Sequence, residues 1–313
     1  MRARPVALAV SPTSDGYSIE SMVRLSLDDS PARLRFADLV ARPVVPLAEA
    51  ALAIAQEEYP EMDAGAYLRR IDELAASVEE RLPSRTGPAS TLQALRAVLF
   101  GAGTGAGTGA GPAERGFRGN TEAYYDPRNS FLNEVLDRRL GIPITLGVLT
   151  IEVAARVGLP LHGVGFPGHF LVKLAADQRE IFIDPFRGGE LLSADECAAR
   201  HKAAAPGVAL DPRHLESVGP RQILRRMLHN LQKIYAEGRD HVRALWVVDR
   251  LLLLEPGDLA ARRDRGLLAA RLGGTAAALA DLEAYLAAEP RSHDRRELRK
   301  LVDELRSRTS LLN

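Results

Sequence analysis

A single thiol, Cys197, is the whole cysteine complement of this 313-residue chain. An intrachain disulfide is thereby excluded, and a reducing, cytoplasmic setting is expected. An excess of charge of either sign is missing as well: Lys+Arg and Asp+Glu both count 41, so the formal net charge is zero. Proteins that hold nucleic acid by its phosphates usually carry a basic excess, so no nucleic-acid partner is expected. No apolar window approaches the ~18 residues of a membrane helix, which argues against a membrane partner. The first apolar run, Val6 to Val10, is shorter than the roughly 7–15 residues of a secretory h-region, so no leader is expected. His162, His201, His214, His229, His241 and His293 show no ligand spacing with Cys or carboxylates, and neither a metal nor another cofactor is expected.

What remains is the balance of a folded protein, 46% hydrophobic and 26% charged, long enough for two or three domains. Residues 1–32 carry scattered polar and turn residues and read as a poorly ordered lead. Residues 33–100 read as a helical N-terminal region. Helical spacing begins at Pro46 and stops at Tyr59-Pro60, a second helix covers 64–82, and a third covers 90–100. The stretch GAGTGAGTGAGP lies within a Gly-rich linker, 101–116. It is not a phosphate cradle, because no Gly-Lys-Ser/Thr comes after it. From 117 to 215 the pattern is α+β. One helix is expected over 129–140 and a strongly apolar one over 145–157, with short strands after them at 161–166, 170–174 and 180–183.

The last third, 216–313, contains a repeat. Ala244-Leu245, Val248-Asp249, Leu252 and Glu255-Pro256 recur as Ala278-Leu279, Leu282-Glu283, Leu286 and Glu289-Pro290, each 34 residues on. That is the tetratricopeptide period. It predicts five antiparallel helices over 221–308, with breaks near Gly238, Pro256, Gly273 and Pro290. Stacked helix pairs of this kind form concave surfaces suited to protein or peptide partners.

Chemistry-bearing residues concentrate between Tyr124 and Glu196. Pro167-Gly168-His169-Phe170 opens one expected strand and Asp184-Pro185-Phe186 closes the next. Across an antiparallel pair the two side chains would meet, with Asp184 fixing the His169 tautomer. Tyr124, Tyr125, Arg128, Asn129, Asn133, Thr145 and Gly168 are candidates for lining a cleft around them. The purely structural alternatives are a turn-forming Asp184, a core Cys197 and solvated charges on the 129–140 helix.

The texts NSFLNEVLDRRLGIPITL, EVAARVGLPLHGVGFPGHFLVKL and FIDPFRGGELLSADEC, in this order, resemble the bacterial SirB-type transglutaminase-like proteins, in which tetratricopeptide-like repeats come after the core. The resemblance implies a papain-like fold with a Cys–His–Asp order in which His169 and Asp184 hold the last two places. In the wider fold the nucleophilic Cys stands about fifteen residues before the Gly-Ile/Leu-Pro turn, and that position is Pro143 here. The resemblance leaves two functions open. One is a regulatory scaffold whose catalytically silent cleft binds a peptide or small ligand while its repeats dock a partner, and the residue at Pro143 favours it. The other is a hydrolase or acyl transferase using His169 and Asp184 with Thr145 or a water as the attacking group.

Overall fold

The computed structural model describes residues 30–84, 87–101, 116–176, 179–289 and 293–310. Most of the expected lead, nearly all of the Gly-rich linker and the break at Pro290 therefore lie outside the described residues. The chain forms two compact units: one comprises 44–56 and 61–227, the other the residues up to 43, 57–60 and those from 228 on. The boundaries read from sequence at 100/101 and 215/216 do not coincide with this division.

The first unit joins helices to a sheet. Helices α2 (Leu47–Ala55), α3 (Ala64–Glu79) and α4 (Pro88–Phe100) precede the sheet in sequence. Asp63 caps α3 by accepting from the Ala66 N–H, which satisfies one of the free donors of the first turn. Strand β1 (Arg118–Gly119) pairs in parallel with β2 (Leu140–Gly141). Between them lie a 3-10 turn, Pro127–Ser130, and helix α5 (Leu132–Arg138). The single helix expected over 129–140 is thus broken. Asn129 directs its carbonyl to the start of the next helix, accepting from Thr145 Oγ1 at 2.5 Å and from the Ile142 N–H at 3.5 Å. Phe131 is consequently extended, with φ −100° and ψ 125°.

Helix α6 (Pro143–Arg156) is apolar on nearly every side, and every residue from Pro143 to Thr150 is buried. A helix of that composition belongs inside a core. It packs on β3 (Leu161–Val164) and β4 (Leu171–Ala176). These join β5 (Arg179–Asp184), β6 (Glu190–Leu192) and β7 (Ser217–Val218) in an antiparallel sheet of order β6-β5-β4-β3-β7. Helix α7 (Ala194–Ala204), opened by a Ser193–Glu196 capping box, packs on β5 and β6. Gly147 sets the approach of α6, since a Cβ there would lie 2.6 Å from the Phe170 ring. Gly147→Val is expected to destabilise the protein by about 1–3 kcal/mol through overpacking, read as a lowered urea midpoint. An unchanged midpoint would mean that the ring has room to yield.

Among its described residues the second unit contains helices and no strand. The second half of α8 (Pro220–Glu237) leads into α9 (His241–Leu254), α10 (Leu259–Arg271), α11 (Thr275–Ala288) and α12 (Arg295–Ser310). Ala278, Leu282, Tyr285, Leu298, Val302 and Leu305 form its core. Helix α1 (Pro31–Ala41) packs against α9. It starts inside the expected lead because Ser30 caps it, accepting from the Arg33 N–H, and Pro31 suits the first helical position.

An ion network runs through this unit. Asp249 and Arg250 are both fully buried. Asp249 accepts from Arg33 Nε at 2.7 Å, Arg265 Nη1 at 2.8 Å and Arg250 Nη1 at 2.5 Å. Arg250 also donates to Glu57, and Arg265 grips Asp281 with two nitrogens, at 2.6 and 2.9 Å.

Candidate functional site

Phe166-Pro167-Gly168-His169 forms a tight turn. Pro167 occupies its second position, Gly168 has φ +66°, and the His169 N–H donates to the Phe166 carbonyl at 3.0 Å. A positive φ at the third position is the signature of a type II turn, which suits Pro before Gly. The turn delivers His169 to the start of β4. Val172 stands opposite Ile183, so Asp184 at the end of β5 lies level with the start of β4. The imidazole Nε2 lies 2.9 Å from Asp184 Oδ1.

Asp184 is 1% exposed and does several things at once. Its Oδ1 also accepts from the Phe186 and Arg187 N–H groups, at 3.1 and 3.3 Å, capping the 3-10 turn Pro185–Arg187. Its Oδ2 accepts from Arg200 Nη1 at 3.3 Å, and Arg200 also holds Glu190 at 2.5 Å. The turn-forming role and the histidine contact thus coexist in one carboxylate. Burying a carboxylate is costly unless hydrogen bonds of this kind replace those it made with water.

Aromatic rings extend the site. Phe186 meets His169 edge-on at 5.9 Å between centroids, and Tyr124 meets Phe186 at 5.9 Å and Tyr125 at 5.3 Å. Burial pushes the Tyr124 hydroxyl above its ordinary pKa, with Tyr125 adding to the shift. Arg226, on α8, donates from Nη2 to the Phe166 and His169 carbonyls, at 2.9 and 2.5 Å, bracing the turn that carries the histidine.

The other candidates occupy a different layer. Asn129, Asn133 and Thr145 are buried. Asn129 accepts from Asn120 Nδ2 and Arg138 Nη2 and donates to the Ala123 and Tyr124 carbonyls, so it supports the tyrosine from beneath. The Thr145 hydroxyl is bound to the Asn129 and Ile142 carbonyls, which corrects its place as a wall of the cleft. Arg128 grips Asp126, whose pKa drops because these bonds outweigh burial. Pro143 is the buried first residue of α6.

Cys197 is fully buried with Val164, Leu171, Phe182 and Leu192. Gly147 of α6 faces Val172 instead, and neighbouring strand residues point to opposite faces, so the thiol lies on the sheet face away from α6. Burial pushes it up to about 11, against a smaller opposing pull from Arg200. Among the described residues no group of three or more His, Cys, Asp and Glu is placed to hold a metal ion, and no helix is long and apolar enough to cross a membrane.

Sequence patterns mark His169, Asp184 and the tyrosines but leave Arg200 and Arg226 unmarked. Both stand on amphipathic helices in which arginines ordinarily face water, and only the register of the packed helix distinguishes them.

A helix packed on an antiparallel sheet, with a His–Asp pair where two adjacent inner strands begin and end, defines a transglutaminase-like module. Residues 65–229 match the transglutaminase-like superfamily and 231–303 the tetratricopeptide repeat. The chain belongs to the transglutaminase-like superfamily and, within it, to the UPF0162 proteins. It is 42% identical over 258 residues to the UPF0162 protein of Xylella fastidiosa (strain Temecula1), covering 80% of this chain and 86% of that one. It is 29% identical over 273 residues to the UPF0162 protein of Pseudomonas aeruginosa, covering 87% and 96% of the two chains. A shorter segment of 127 residues is 35% identical to human F-box only protein 21, covering 37% of this chain and 19% of that one. No solved structure matches.

Proposed function

We propose that the transglutaminase-like module is a ligand-binding cleft without cysteine chemistry, coupled to repeats that dock a protein or peptide partner. The supporting observation is the state of the nucleophile. The position the wider fold reserves for cysteine is a buried proline, Pro143, and the single thiol is buried and held protonated. Thiolate, not thiol, attacks acyl carbon. Tetratricopeptide repeats commonly present a surface for protein partners, which supports the docking role.

A hydrolase using water is the second reading, favoured by the 2.9 Å contact between His169 and Asp184, which would orient a general base. The deciding measurement is turnover in a broad amide and ester screen, for wild type, Cys197→Ala and His169→Ala. No turnover by any of the three, with all three folded, is the expected result. Turnover lost in Cys197→Ala would overturn the proposal. Turnover kept there but lost in His169→Ala would establish the water mechanism instead.

A further inference from the structure

Asp184 divides its hydrogen bonds unevenly. Oδ1 lies 2.9 Å from His169 Nε2 and accepts from the Phe186 and Arg187 N–H groups, at 3.1 and 3.3 Å. Oδ2 has one hydrogen bond among the described residues, from Arg200 Nη1 at 3.3 Å. Donors gathered on one oxygen fix that oxygen but leave the carboxylate free to swing about it. The partner of Oδ2 therefore sets the plane of the group, and with it the lone pair that Oδ1 turns toward the imidazole. Arg187 does not fill that place. Its Nε is 3.8 Å from Oδ2, beyond hydrogen-bond range, and its side chain is 63% exposed.

Arg200 is itself held. Its Nη2 donates to Glu190 at 2.5 Å, and Glu190 stands opposite Asp184 in the register of β5 and β6. One guanidinium thus spans two carboxylates on neighbouring strands. Helix α7 delivers it there. The Ser193–Glu196 box fixes the start of the helix. Cys197, three residues before Arg200 and so on the same side of the helix, is buried with Phe182 and Leu192 of the sheet.

The tautomer follows from these bonds. Oδ1 accepts from two backbone N–H groups and Oδ2 from a guanidinium, so neither oxygen is left to offer a proton. Nε2 is then the donor of its contact, and Nδ1 carries the lone pair. Nδ1 has no hydrogen-bond partner among the described residues. Without Arg200, Oδ2 would be an unpartnered acceptor on a side chain that is 1% exposed. Such an acceptor is costly, and it finds relief by taking a proton or by turning toward the backbone donors. Either change loosens the hold on Nε2.

We infer that Arg200 is the positioning residue of the His169–Asp184 pair: through Asp184 Oδ2 it holds the imidazole as the Nε2–H tautomer and leaves Nδ1 as the acceptor. A bound ligand or an attacking water would meet that acceptor with a donor, an N–H or O–H group.

Proton–nitrogen NMR of the imidazole in the full-length protein tests this, at a pH where the ring is neutral and with the signals assigned by their absence from His169→Gln. The wild type is expected to show one ring N–H proton, on Nε2, exchanging slowly with water. Arg200→Gln keeps the length of the stem but loses the charge and the paired nitrogens. It should speed that exchange about tenfold, the worth of one charge-assisted hydrogen bond. Arg200→Lys keeps the charge without the paired nitrogens and should fall between the two. Arg187→Gln removes the other nearby charge and should leave the exchange as in wild type. A wild-type proton on Nδ1, or none exchanging slowly on Nε2, overturns the inference. So does wild-type exchange in a folded Arg200→Gln. An equal effect in Arg187→Gln would make positive charge at large, and not the Oδ2 hydrogen bond, responsible, and overturns it too. If Arg200→Gln fails to fold, Arg200→Lys decides, and wild-type exchange there overturns the inference. Because the readout needs neither turnover nor a partner, failure here is distinct from failure of the proposed function.

Discussion

Replacing Asp249 with alanine is expected to cost the protein about 3–5 kcal/mol, the range for removing one partner of a buried ion pair. That is a large share of the roughly 5–15 kcal/mol that holds a typical domain together. The cost comes less from lost attraction than from the charges left behind. Arg250 is 0% exposed and would keep Glu57 alone for a counter-charge, its Nε having no partner among the described residues. Arg33 would lose its buried acceptor, and Arg265 would keep only Asp281. The internal control is Glu283, which stands 34 residues on, at the equivalent place in the repeat. It pairs with Arg306 at 2.8 Å, but the two side chains are 41% and 60% exposed. Exposed pairs contribute about 0–1 kcal/mol, so Glu283→Ala should be nearly silent. Urea unfolding monitored by far-UV circular dichroism reads both variants. Equal losses would mean that burial does not set the worth of these ions.

Cys197 should react with iodoacetamide at pH 8 at least ~100-fold more slowly in the folded protein than in the urea-unfolded chain. The shift of the thiol from 9.0 to about 11 alone removes about a hundredfold of its thiolate. Full burial beneath Phe182 and Leu192 slows the reagent further. The same shift gives stability a pH dependence. Between pH 9 and 11 the unfolded chain releases the thiol proton first and the folded one holds it, so this group's contribution to stability falls as pH rises. Rapid labelling at pH 8 would reveal an accessible, activated thiol and reopen cysteine catalysis.

The repeat helices were legible because periodicity is a property of sequence. The 34-residue offset and the Glu255-Pro256 stop put the break between α9 and α10 where the structure has it. The start of α1 was obscured by polar residues around the Ser30-Pro31 cap, a combination that serves a loop turn as readily as a helix start. The broken helix at 129–140 was illegible for another reason. Its interruption comes from Thr145 and Ile142 drawing off the Asn129 carbonyl, a contact across 16 residues that no local propensity encodes. In the site, His169 and Asp184 could be paired from strand order alone. Arg226 could not, since it reaches the His169 carbonyl from 57 residues away. Asp249 and Arg250 were hidden because a charged pair on a helix ordinarily faces water.

The placing of α1 in the repeat unit bears on how the protein is made. Arg33 and its acceptor Asp249 are 216 residues apart. A ribosome adding 5–20 residues per second needs roughly 10–40 s to travel that distance. Throughout that interval the nascent chain carries Phe36, Leu39 and Val40, all buried in the finished fold, with no α9 to receive them. Helix α1 is thus made early and docks late, and its packing in the repeat unit is complete only when α9 has been synthesised.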